Sequence, residues 1–168
     1  LGRIVQLDFG RSFVSGESAL DIILHRFPVS LQFGIITILI TTFGSALLGI
    51  SMAKRPNYIF DSVSKFTLMA LSSLPPFVLA LLLLVFFSGG RFLDWFPIGY
   101  LHSDNYAELD GWGQFLDRAH HFILPGICYV VGSFAEYAFL SRNSMLAELS
   151  KDYIRTARAK GLSNRIVY

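Results

Sequence analysis

Three apolar stretches, at 27–53, 63–88 and 122–140, stand out from an otherwise mixed chain. Crossing a hydrocarbon core of roughly 30 Å takes about 20 helical residues, and all three runs approach or exceed that length. The pattern therefore predicts three membrane-spanning helices. The third run is the shortest and contains Glu136, which makes it the weakest of the three. A buried helix of a soluble protein can imitate one such run, but three in succession argue for an all-α, polytopic membrane helical bundle.

Within the runs, small residues and prolines add detail. Gly34, Gly44, Ser45, Ala46 and Gly49 would let a neighbouring helix approach closely, as small residues do in membranes. Pro75 and Pro76 fall inside the second run, where each removes a backbone donor and clashes with the preceding turn. A kink or local unwinding is expected there, either a plain packing bend or a bend lining a pathway. Glu136 is costly at membrane depth, about 2.5–3.5 kcal/mol at a helix centre. It sits close to one end of its run, so it is either satisfied by packing or exposed to a pathway.

Composition agrees with the pattern: 53% of residues are hydrophobic and 15% charged, where a soluble domain carries about a quarter charged. Net charge is only +2, and the distribution carries more information. Lys54, Arg55, Asp61 and Lys65 make a short, net basic turn between the first two runs. Arg142, Lys151, Arg155, Arg158, Lys160 and Arg165 follow the third, against Glu148 and Asp152. Residues 89–121 instead hold Asp94, Asp104, Glu108, Asp110 and Asp117 against Arg91 and Arg118. Lys and Arg near membrane ends mark the inner side. Residues 54–62 and the tail 141–168 are thus expected inside, with loop 89–121 and segment 1–26 outside.

The outer loop is rich in Trp95, Phe96, Tyr100, Tyr106, Trp112 and Phe115, rings that settle at headgroup level. Its His102, His120 and His121 lack the HExxH or Cys/His spacing of a metal site, so no metal is expected. Cys128 is alone, which excludes an internal disulfide framework. No P-loop, GxSxG elbow or paired Cys motif is present, so no catalytic site and no cofactor are predicted in this chain. The chain opens at Leu1 without a signal-peptide apolar region and stops inside a basic segment, so an internal piece of a longer protein is expected.

Residues 143–160 favour helix, and Gly161 supplies a stop. Tyr153, Ala157 and Lys160 fall on one side of that helix, with Ile154 alongside. Small Ala157 and Ala159 beside Gly161 would admit another protein's backbone; the alternative is a basic helix held at anionic lipid.

The run Asp152-Tyr153-Ile154-Arg155-Thr156-Ala157-Arg158-Ala159-Lys160-Gly161-Leu162-Ser163 resembles the cytoplasmic coupling loop of ABC importer permeases, in its peptide-transporter form. With the motif glycine on Gly161, the Glu-Ala-Ala positions hold Arg155, Thr156 and Ala157, so only the second alanine and the glycine are kept. The likeness extends to Arg26-Phe27-Pro28-Val29-Ser30, to Leu48-Gly49-Ile50 before Lys54-Arg55, and to Leu74-Pro75-Pro76-Phe77. The outer-loop run Gly89-Gly90-Arg91-Phe92-Leu93-Asp94-Trp95-Phe96-Pro97, with Ser103-Asp104-Asn105, is similar to the microcin C-type branch.

The resemblance implies an inner-membrane permease subunit of the dipeptide and oligopeptide importer family, with the type I permease fold. Six spans are typical there, so this piece would hold the second to fourth within a permease domain at 27–168. It also implies two ATPase subunits that bind ATP and Mg, a second permease subunit and an external peptide-binding protein. The ATPase-coupling loop would comprise Tyr153, Arg155, Thr156, Ala157, Ala159, Lys160, Gly161 and Leu162, and Pro75, Pro76 and Glu136 are candidate pathway residues. Two rival readings are a proton-coupled secondary carrier with Glu136 as proton site, and a membrane anchor that transports nothing. The Ala/Gly docking loop favours the importer.

Overall fold

The computed structural model describes residues 9–90, 92–163 and 167. Arg91 and Arg165, both counted in the charge pattern, and the first eight residues of segment 1–26 lie outside them. Among the described residues there is no strand, only two isolated bridges, Arg11 to Ser18 and Ser88 to Phe96. The helices are α1 (Ala19–Leu39), a π turn (Ile40–Gly44), α2 (Ser45–Lys54), α3 (Ile59–Ser72), α4 (Pro76–Phe87), α5 (Gly111–Leu149) and α6 (Asp152–Ala159). The chain divides into two compact units, Leu1–Ile36 and Thr37–Tyr168.

In the first unit a tight loop precedes α1. Gly10 and Gly16 adopt positive φ, and Ser12 and Glu17 close the loop through backbone hydrogen bonds. The helix begins at Ala19, eight residues before the apolar run, and continues through Pro28. Segment 1–26 is thus partly helical. Apolarity marks where a helix can meet lipid and does not mark where the helix starts.

The second unit is organised on α5. Met52 of α2, Leu68 of α3, and Ala135 and Ala138 of α5 form its buried core, with Leu48, Phe134 and Phe139 packed against it. Two of the predicted small residues make this contact possible. A Cβ on Gly49 would lie 2.4 Å from the Ala138 carbonyl oxygen and 2.8 Å from the Arg142 amide nitrogen, so α2 and α5 meet backbone to backbone. A Cβ on Gly44 would lie 3.0 Å from the Phe134 ring, and Ser45 is fully buried. Among the described residues a Cβ on Gly34, in the first unit, would meet nothing within 4 Å.

Two helices are long and apolar enough to cross a membrane, Ala19–Lys54 and Gly111–Leu149. The predicted span 63–88 is instead a pair, α3 and α4, bent by 97° at a short break. At ~1.5 Å per residue, 14 and 12 residues reach about 21 and about 18 Å, so neither half crosses alone. The break is where the sequence put it. Pro75 caps α4 and Pro76 takes its first position, where a missing N–H costs nothing. On the α3 side the Ser72 and Ser73 hydroxyls donate back to the Leu68 and Met69 carbonyls, each at 2.8 Å.

The predicted loop 89–121 ends earlier than expected. Asp110 caps α5 by accepting the Gly113 amide at 2.8 Å, and residues 111–121 are already helical. What remains of the loop folds back on the end of α4. Trp95 and Phe96 donate backbone hydrogen bonds to the Phe87 carbonyl, and Trp95 packs its ring on Phe87. The histidines serve this loop. His120 Nε2 lies 2.6 Å from the Trp95 carbonyl oxygen, and His102 stacks on Tyr106. Asp117 accepts from both the amide and the hydroxyl of Ser103.

Large apolar side chains remain exposed along every long helix, among them Phe27, Ile38, Phe66, Phe77 and Leu140. Such a surface requires lipid or further protein to cover it.

Candidate functional site

The expected helix over 143–160 is two helices. α5 ends at Leu149, Ser150 caps it, and Lys151 is extended before α6 begins at Asp152. Neither residue is a helix breaker, so residue type alone does not dictate the interruption; a side-chain brace spans it. The Glu148 carboxylate accepts from both the Lys151 ammonium and the Tyr153 hydroxyl. Glu148 raises the pKa of Lys151 and, by accepting its hydroxyl proton, that of Tyr153, so both keep their protons.

Along α6 burial separates an inward side from an exposed one. Ile154 is buried and Ala157 half-buried, one turn apart, and together they form the inward side. Tyr153, Arg155, Thr156, Ala159 and Lys160 are exposed. Tyr153 and Lys160 therefore do not share the face of Ile154. The Thr156 hydroxyl is spent on the Asp152 carbonyl at 3.0 Å. Asp152 in the first turn and Arg158 in the last both complement the helix dipole.

Gly161 ends the helix as predicted. Its φ is +79°, its amide donates to the Arg158 carbonyl, and the Leu162 amide reaches back to the Ala157 carbonyl. That pair of bonds is the Schellman closure, which needs a left-handed residue at this position. Among the described residues a Cβ on Gly161 meets nothing within 4 Å, so its conformation is what calls for glycine. Leu162 follows, partly exposed.

The other candidates stand apart. Pro75 and Pro76 form the α3–α4 break. Glu136 projects from the exposed side of α5, between buried Ala135 and exposed Tyr137, and has no hydrogen-bond or ion-pair partner among the described residues. A groove of about 310 Å³ lies between α4, residues 97–100 and α5, lined by Leu84, Ile98, Tyr100, Leu124 and Cys128 among others. None of the candidate residues lines it.

One cluster is absent from the sequence reading. Asp61, in the first turn of α3, is completely buried. Arg142 of α5 grips it with two parallel hydrogen bonds, Nε to Oδ1 at 2.7 Å and Nη2 to Oδ2 at 2.8 Å. The Asn57 amide donates to Oδ2 at 2.8 Å, and the Lys65 ammonium lies 3.1 Å from the same oxygen. Asn57 holds φ at +63°, in the left-handed region. The only signal in the sequence was a lone acid in a net basic turn; its partner lies 81 residues away.

Comparison with known proteins bears on this geometry. The family described as binding-protein-dependent transport system inner membrane component matches residues 45–168, which include α2 to α6. The chain is 38% identical, over 97% of its length, to the peptidoglycan transport system permease protein YejB of Agrobacterium fabrum, of which it covers 45%. It is 37% identical to the inner membrane ABC transporter permease protein YejB of Escherichia coli O157:H7, over 96% of this chain and 44% of that one. It is 35% identical to the oligopeptide transport system permease protein AppB of Bacillus subtilis, over 100% of this chain and 52% of the relative. The chain spans about half the length of these curated relatives.

Proposed function

Since the chain belongs to the family of binding-protein-dependent transport system inner membrane components, we propose that it is part of a permease subunit that carries peptides across a bacterial inner membrane. Separate ATPase subunits drive the transport. The observation that carries this reading is α6: a short, charged, mostly exposed helix, braced at its start by Glu148 and closed by Gly161. It has the form of a rigid plug for a groove in another protein.

In this reading residues 54–62 and 141–168 face the cytoplasm, and two ATPases dock there, each binding ATP and Mg. A second permease subunit completes the pathway, and an external binding protein delivers peptide. ATP shifts the pathway between inward- and outward-facing states only to the extent that it binds them differently. Tyr153, Arg155, Thr156, Ala159 and Lys160 meet the ATPase, while Ala157 and Ile154 hold α6 to its own chain. Glu136, on the exposed side of α5 and without a partner among the described residues, lines the pathway and receives the peptide's ammonium end.

In membrane vesicles holding the intact protein and its partners, peptide uptake should require ATP and survive a protonophore. Uptake that collapses with the protonophore and ignores ATP would instead mark a proton-coupled carrier. A hydrogen bond to a charged group is worth about 1.5–3 kcal/mol. Glu136→Gln should therefore weaken apparent peptide affinity by about tenfold or more in the same vesicles. Unchanged affinity and turnover would remove Glu136 from the pathway.

A further inference from the structure

Arg142 stands ten residues before Asp152, and the short break between α5 and α6 is braced by Glu148. A displacement of α6 is thus delivered to the end of α5 that carries Arg142. From there the strongest polar contact leads to Asp61. We propose that the Asp61–Arg142 pair is the joint that makes α2, α3 and the end of α5 move as one body when α6 is displaced. The proposal rests on the reading of α6 as the ATPase-docking helix, and Asp61 and Arg142 act in it as positioning residues.

Three features suit the pair to that task. The guanidinium fork makes two parallel bonds to one carboxylate, which fixes angle as well as distance; an ammonium would fix only distance. The carboxylate has no freedom to slide, because the Asn57 amide and the Lys65 ammonium hold Oδ2 from the 55–58 turn and from α3 itself. The contact also lies where the backbones already touch, since the Arg142 amide is one of the atoms that Gly49 approaches most closely. Beyond the joint, α3 runs to the Leu74–Pro75 break, where the rigid body ends and α4 leaves at a steep angle. Motion gathered at the joint is therefore expressed at the proline break.

The pair is completely buried on the Asp61 side, so it is neither a screened surface contact nor a site for an external ligand. A packing pair and a transmitting joint differ in what they do to energy coupling. The test uses the intact permease in its complete complex, reconstituted in lipid vesicles. Spin labels on Ile59→Cys and Ser144→Cys, both exposed and outside the network, report the distance across the joint in a Cys128→Ala background.

The proposal expects that distance to be the same with and without ATP in the otherwise native complex, and to spread in Arg142→Lys. It further expects Arg142→Lys complexes to hydrolyse about fivefold more ATP per peptide delivered, the lower end of ordinary coupling between sites. Asp61→Asn combined with Arg142→Gln, which leaves no unpaired buried charge, should assemble yet remain poorly coupled. A native distance that changes with ATP overturns the joint, whether or not any variant assembles. So does an Arg142→Lys complex with the native ATP-to-peptide ratio, or uptake that falls only in proportion to the amount of complex. If the native complex takes up no peptide with ATP, the importer reading fails and the joint fails with it. A native complex that transports, beside a normally coupled Arg142→Lys, overturns the joint alone.

Discussion

A permease carrying Gly161→Val is expected to reach the membrane in normal amount and to lose ATP-driven peptide uptake. The reason is local. Gly161 holds φ at +79°, and two backbone bonds close α6 only in that conformation. A β-branched residue pays about 1–3 kcal/mol to stay there, comparable to what holds a single exposed helical turn together. The last turn would therefore open, and Lys160 and Leu162 would leave their positions. Apart from its chain neighbours, no atom of the described residues lies within 4 Å of the added Cβ, so the rest of the fold has no reason to fail.

Asparagine tolerates the left-handed region far better than valine does. Gly161→Asn should thus recover much of the coupling if φ is what matters, and none if a partner's backbone approaches too closely for any side chain. ATP hydrolysis and peptide uptake measured side by side read all three proteins. Full transport by Gly161→Val would sink the assignment of α6.

The second large effect is expected at Gly49, and it is one of assembly. A Cβ there would sit 2.4 Å from the Ala138 carbonyl oxygen and 2.8 Å from the Arg142 amide, and neither backbone atom can swing aside. Overpacking a close contact costs about 1–3 kcal/mol. Separating the helices also strains the Arg142–Asp61 bonds, and a buried charge left without its partner costs about 3–5 kcal/mol. Gly49→Leu should therefore lower the thermal midpoint of the detergent-solubilised intact protein sharply and reduce its amount in the membrane, with Gly49→Ala showing the same change to a smaller degree. The same substitution at Gly132, where a Cβ meets nothing within 4 Å among the described residues, provides the contrast. Equal midpoints for Gly49→Leu and the native protein would contradict the backbone contact.

How far the sequence reaches is clear from individual residues. The first two apolar runs were legible because lipid imposes length and composition, and the double proline was legible because missing donors break a helix wherever they fall. Gly161 was legible for the same kind of local reason. The helix starts at Ala19 and Gly111 were hidden, since α1 opens with Asp21 in its first turn and α5 opens on Gly111, Trp112, Gly113 and Gln114, neither of which reads as the start of an apolar span. For α5 the Asp110 cap was the available signal. The third run, weakest by composition, lies inside an unbroken 39-residue helix, whereas the strongly apolar second run is the bent one.

The break at Ser150–Lys151 had no local signature, and the Glu148 contacts to Lys151 and Tyr153 that span it are equally invisible in the residue types alone. Which face of α6 its own chain covers was hidden for a related reason. Helical spacing groups residues into stripes but does not say which stripe its own chain covers, and here Ile154 decides it. Asp61 and Arg142 were each counted as loop charge, because a pairing across 81 residues leaves no mark in either neighbourhood.

The central claim is that α6 is gripped by an ATP-driven partner. It is tested most directly by purifying the intact protein from native membranes and asking which proteins come with it. The account predicts a P-loop ATPase that remains bound through purification and is cross-linked by a cysteine-directed reagent at Arg155→Cys or Ala159→Cys, exposed positions of α6. Purification without any P-loop ATPase, and no cross-link from either position, would contradict it.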